Sequence, residues 1–123
     1  MPKSILVVLE DPDIAAYLVS LFRTSGYTAH ATTEGNDAIE MVEAQKPDVL
    51  FLDLALPGRW TPRLYRWLMD SPEYAATPIV LVTDFVGIDL MIPNAVGTVD
   101  KPFDPDIVLE LLQKALAFQP SIR

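Results

Sequence analysis

The chain has 123 residues, half of them hydrophobic, with a formal net charge of −8, no cysteine and one histidine, His30. That length suits one compact domain over 1–123. The missing cysteines exclude disulfides, thiol catalysis and thiolate metal sites; a lone histidine excludes a multi-histidine zinc centre and leaves His30 as the one base a serine hydrolase could use. The acidic balance argues against direct nucleic-acid contact, because phosphate backbones attract basic surfaces. The start MPKSILVVLED is unlike a signal peptide and no apolar run approaches a membrane span, so a soluble, cytoplasmic protein without membrane contact is expected.

In chain order, SILVV (4–8) is a continuous β-favouring run, as expected of a strand buried on both faces. Asp11 can cap the following helix and Pro12 suits its first position, while Ile14, Tyr17, Leu18, Leu21 and Phe22 recur at helical spacing until Gly26. YTAHA (27–31) predicts a short strand, in which His30 is expected to be structural or exposed. A second helix is predicted over 36–45 with Ile39 and Val42 inward, and KPD (46–48) leads into an apolar strand ending at Asp53. Thr61 and Pro62 repeat the cap-then-proline signature, which predicts a third helix over 62–70, and TPIVLVT (77–83) reads as a fourth strand. The stretch 84–95 is ambiguous. VGTV (96–99) suits a fifth strand, and Asp104 caps a last helix carrying Ile107, Val108, Leu111, Leu112, Ala115 and Leu116 on one face.

Alternating strands and helices of this length imply a parallel sheet covered on both faces, with ligand sites beyond the carboxyl ends of the strands. At those ends stand Glu10 and Asp11, Asp53, Thr83 and Lys101: three carboxylates, a hydroxyl and an ammonium expected to converge on one crevice. Clustered carboxylates repel one another unless a cation sits among them. Hard oxygen ligands with few protein contacts suit Mg²⁺, which keeps several waters and accepts a phosphate oxygen. Lys101 can pair with a carboxylate at rest and a phosphoryl group afterwards, and Thr83 has a rotatable donor. Together these parts describe phosphorylation of an aspartate.

The segments ILVVLEDPDI (5–14), PDVLFLDLALPG (47–58), PIVLVTD (78–84) and DKPFDPD (100–106) resemble, in order and spacing, the receiver domain of bacterial two-component response regulators. The resemblance covers nearly the whole chain. It implies a flavodoxin-like, doubly wound three-layer sandwich with a five-stranded parallel sheet in the order 2-1-3-4-5. It implies that a histidine kinase or phosphotransfer protein donates a phosphoryl group to Asp53, and that the domain is a phosphoacceptor in signalling rather than an enzyme acting on a separate substrate. By the same matching Glu10 and Asp53 are metal ligands, joined by the main-chain carbonyl of Ala55, with Asp11 a further candidate. Thr83 is the switch hydroxyl, and Lys101 the phosphate-binding cation, with Pro102 fixing the turn after it. Partners of this kind are a downstream effector or a covalently linked output domain, and a homodimer is an open option.

Three departures qualify the resemblance. The family has two acids after the first strand, the first holding the metal through water; here that position is Leu9, which predicts weaker Mg²⁺ binding and slow phosphorylation. Thr83 and Lys101 are only 18 residues apart, so a shortened or irregular fourth helix is expected between them. The aromatic switch position, three before the lysine, is Thr98. These departures favour, as the alternative, a receiver-like interaction module that signals without phosphorylation; a small flavodoxin-like enzyme or nucleotide binder lacks the glycine-rich loop it would need after the first strand. Finally, RWTPRLYRW (59–67) holds Arg59, Arg63 and Arg66, three of nine basic residues, with both tryptophans. A solvated helix face with Leu64 and Leu68 inward explains it, and a partner surface is the rival reading.

Overall fold

The computed structural model describes residues 2–53, 56, 58, 60–82, 95–99 and 104–117, the segment 95–99 by its backbone. Five strands, β1 (Ser4–Val8), β2 (Thr28–Thr32), β3 (Val49–Asp53), β4 (Ile79–Val82) and β5 (Ala95–Val99), form one parallel sheet in the order β2-β1-β3-β4-β5. The helices are α1 (Pro12–Thr24), α2 (Gly35–Gln45), α3 (Trp60–Asp70) and α4 (Pro105–Ala117). The expected strand order and fold class are therefore present. The expected irregular helix before β5 lies outside the described residues. Between β4 and β5 the register slips, so that Ile79 pairs with Ala95 but Val80 with Gly97.

Side chains alternate across a strand, and here that alternation feeds two cores. Ile5, Val7, Val49, Phe51, Val80 and Val82 pack under α1 and α4 with Leu18, Phe22, Val108 and Leu112. Leu6, Val8, Leu50, Leu52, Ile79 and Leu81 pack under α2 and α3 with Ala38, Val42, Leu64 and Leu68. Burial on both faces explains why the strands read as continuous apolar runs.

Helix ends follow local chemistry. Asp11 accepts from the backbone N–H of Asp13 and Ile14, at 2.9 and 3.3 Å, with Pro12 opening α1; Gly26, at φ 96°, takes the left-handed turn after it. Asp104 caps α4 in the same way, accepting from Asp106 N–H at 2.9 Å. Helix α2 starts at Gly35 instead of Asn36, and a side-chain cap at Glu34 is absent. Gly35 is needed for another reason: a Cβ there would run into the Trp60 side chain. Helix α3 starts at Trp60, two residues ahead of the sequence expectation, so Thr61 lies inside the helix instead of capping it. Of the apolar residues expected inward, Tyr17 and Ile107 are exposed, at 43% and 52%, because each lies at the edge of its helix's apolar stripe. His30, on β2, is half-buried and its Nδ1 has no hydrogen-bond partner among the described residues.

Candidate functional site

Asp53 closes β3, a strand whose five residues are all buried, and is itself only 1% exposed. Alternation along β3 sets it on the same side as Val49 and Phe51, at the carboxyl edge of the sheet. An ionised carboxylate so placed is costly unless hydrogen-bonded or paired. One compensation is the backbone of the β1–α1 loop: Glu10 N–H donates to Asp53 Oδ2 at 3.1 Å. Strands β1 and β3 are direct neighbours, with Val8 opposite Leu52, so the residue two past the end of β1 falls beside the residue ending β3.

The main chain of Asp53 is held from the other side. Thr61 Oγ1–H donates to the Asp53 carbonyl at 2.6 Å, and the same oxygen accepts Leu56 N–H at 3.3 Å. Thr61 is buried. It therefore ties the end of β3 to the first turn of α3, a role that the cap-then-proline reading missed; a threonine eight positions downstream gives no signal in sequence that its hydroxyl will turn back to the strand.

Of the five residues expected in the crevice, Glu10 and Asp53 are brought together, through the Glu10 backbone N–H. Asp11 is in the same loop, but its Oδ1 is engaged by two N–H groups of α1. Among the described residues no three His, Cys, Asp or Glu side chains form a group fit to hold a metal ion. Thr83, Lys101 and the Ala55 carbonyl lie outside the described residues. Leu9 is 1% exposed and belongs to the core under α1 and α4. Its N–H bonds to the Thr32 carbonyl at 3.2 Å, so the pleat of β1 continues one residue further and turns Leu9 inward with Ile5 and Val7. The remaining donor set, Glu10 and Asp53, is all hard oxygen and fits a Mg²⁺ ion that keeps several waters.

An open parallel α/β sheet with a buried aspartate at the carboxyl end of its central strand is the architecture of a signalling receiver. The pattern of the response regulator receiver domain matches residues 5–113, and the chain belongs to that family. In particular it is 67% identical over 117 residues to Protein Rrf1 of Nitratidesulfovibrio vulgaris (strain Hildenborough), covering 95% of this chain and 85% of that one. Solved structures share the fold, among them the following two. Chemotaxis response regulator CheY4 of Vibrio cholerae superposes with a TM-score of 0.85 at 22% identity, over 94% of this chain and 100% of that one. A response regulator from Thermotoga maritima gives 0.79 at 22% identity, over 96% and 100%. The protein is accordingly a receiver domain of two-component signal transduction, a signalling domain. No helix among the described residues is long and apolar enough to cross a membrane.

Proposed function

We propose that Asp53 is the phosphoacceptor, taking its phosphoryl group from a histidine kinase or phosphotransfer protein in the cytoplasm. The observation that carries this reading is the buried Asp53 carboxylate at the rim of the sheet, oriented by Glu10 N–H at 3.1 Å. An Asp53 oxygen attacks phosphorus as the bond to the donor nitrogen breaks, and the neutral imidazole leaves. Thr61 holds the backbone from which that carboxylate projects. Glu10, Asp53 and the Ala55 carbonyl are the residues that would hold Mg²⁺, which supplies positive charge to the phosphoryl oxygens when bound. Lys101 is the cation and Thr83 the donor assigned to the phosphorylated state. The domain is a phosphoacceptor, and its partners are a kinase or phosphotransfer protein and an effector or output domain.

The size of the switch follows from those contacts. A phosphoryl group adds roughly −1.5 to −2 charges at neutral pH, and two charge-assisted hydrogen bonds, from Lys101 and Thr83, contribute about 1.5 to 3 kcal/mol each. Moving a two-state equilibrium from 1:99 to 99:1 needs about 5.5 kcal/mol. The pair reaches that only at its upper end, so phosphorylation shifts the population partially and a partner preferring one state completes the shift.

Incubation with Mg²⁺ and a small phosphoryl donor, followed by intact-mass measurement, tests the assignment. The expected result is a gain of about 80 Da per phosphoryl group in the wild type and none in Asp53→Asn. An unchanged wild-type mass, or an equal gain in the variant, rejects Asp53 as the acceptor.

A further inference from the structure

Helix α3 carries two exposed arginines without an ion pair among the described residues. Arg63 and Arg66 are three residues apart, hence on one helix face with Cβ atoms roughly 5–6 Å from each other, and both are exposed. Among the described residues neither is in an ion pair, whereas Lys46 is paired with Glu73 at 2.9 Å and Arg23 directs two guanidinium N–H groups at the Ala29 carbonyl, at 3.0 and 2.7 Å. With Gly58 and Pro62, the two arginines line a groove of about 420 Å³. Arg63 Cζ lies 4.5 Å from the centroid of the Trp60 ring. Stacking of this kind restrains the guanidinium and leaves its in-plane N–H donors available for a carboxylate. The first turn of α3 has no acidic residue, so Arg63 works against the helix dipole there, and the helix's one acid is Asp70, four residues past Arg66.

We propose that this groove is a docking site for an acidic segment of a partner protein, with its carboxylates on Arg63 and Arg66. Acidic residues three or four apart on a helix stand at about the same spacing as the two arginines, and guanidinium takes a carboxylate in a two-point grip. The choice of a protein segment over nucleic acid follows from range. The net charge of −8 repels an extended polyanion along its whole length, while a short segment seated in the groove senses mainly charges within about 8–10 Å, the screening length at physiological salt. The proposal concerns α3 alone and stands apart from the assignment of Asp53.

Trp60 and Trp67 are the chain's two tryptophans and both lie on α3, and Arg63 lies over Trp60, so tryptophan emission reports on a ligand that engages Arg63. The intact protein is titrated with a tryptophan-free peptide of alternating Glu-Glu and Leu-Leu pairs, a lysine counterpart and a single-stranded oligonucleotide, at low and high salt. Saturable change with the acidic peptide alone is expected, weakened about tenfold or more by high salt and by the double substitution Arg63→Glu, Arg66→Glu, at unchanged melting temperature. Asp53→Asn should bind the peptide like the wild type, which keeps this test independent of phosphorylation. Absence of saturable binding, equal binding of the lysine peptide or oligonucleotide, or full binding by the doubly substituted protein overturns the proposal.

Discussion

Under α1 and α4 the sheet presents Ile5, Val7, Val49, Phe51, Val80 and Val82 to Leu18, Phe22, Val108 and Leu112, with Phe22 and Phe51 in contact at a centroid distance of 5.0 Å. Under α2 and α3 the strands contribute an equally apolar row, but the rim is aromatic and wet. Trp60, Tyr65, Trp67 and Tyr74 are only partly buried, Trp67 stacks on Tyr74 at 5.4 Å, and Arg63 lies over Trp60. Amphipathic rings of this sort bury their bodies and keep an edge or polar tip accessible. The core of the first face is aliphatic but for Phe22 and Phe51 and includes Leu9; the second keeps partly buried aromatic side chains suited to recognition. The difference separates what holds the sheet together from what can meet a partner, and Asp53 stands at the carboxyl edge of the sheet on the side of Val49 and Phe51.

The comparison breaks most sharply at Phe51. Phe51→Ala removes a fully buried ring from the first face and is expected to cost about 3–5 kcal/mol, read as a lower urea midpoint. An equally large loss from trimming a ring on the second face, such as Trp67→Ala, would contradict the contrast drawn here. Next comes Thr61→Val, which keeps the shape but removes the bonds to the Asp53 carbonyl and Leu56 N–H. Its expected cost is about 1–3 kcal/mol, together with slower phosphorylation, since the backbone carrying the carboxylate is loosened. Chemical denaturation alongside the intact-mass time course checks both; a stable variant phosphorylated at the wild-type rate would remove Thr61 from the account.

The smallest effect is at Lys46, which sits at φ 47° after α2 and pairs with Glu73 across to the segment following α3. Its hydrogen bond and attraction to Glu73 raise its pKa above the ordinary lysine value. A raised folded-state pKa means that any stability from the pair is fully present below the unfolded lysine value and disappears as pH rises through the folded one. Melting temperatures of wild type and Glu73→Gln should therefore differ slightly at neutral pH and converge in strong alkali. A gap that widens with alkalinity has the wrong sign.

Much of the fold was legible because burial on both faces writes itself as continuous apolar strands, and because Asp11 with Pro12, Gly26 and Asp104 are local signals that need no tertiary context. The start of α3 was not legible: Trp60 joins the helix by packing against Gly35 of α2, a contact between residues distant in sequence. In the site, the nearness of residues 10 and 53 followed from strand adjacency. Two things did not follow. The contact is made by the Glu10 backbone, which no side-chain pattern announces, and Asp11 has two competing uses that only geometry separates. Leu9 was noticed as a departure, but its place in the core depends on the pleat of β1 running one residue past the strand.

A crystal structure of the protein with Mg²⁺ and beryllium trifluoride, a mimic of a phosphoryl group, would test the four-residue assembly at 10, 53, 83 and 101 in one measurement. The predicted result is beryllium bonded to an Asp53 carboxylate oxygen, the cation between Asp53 and Glu10, and both Lys101 Nζ and Thr83 Oγ1 within hydrogen-bonding distance of its fluorines. An Asp53 left unmodified at saturating reagent, or a Lys101 ammonium directed away from it, would contradict the account.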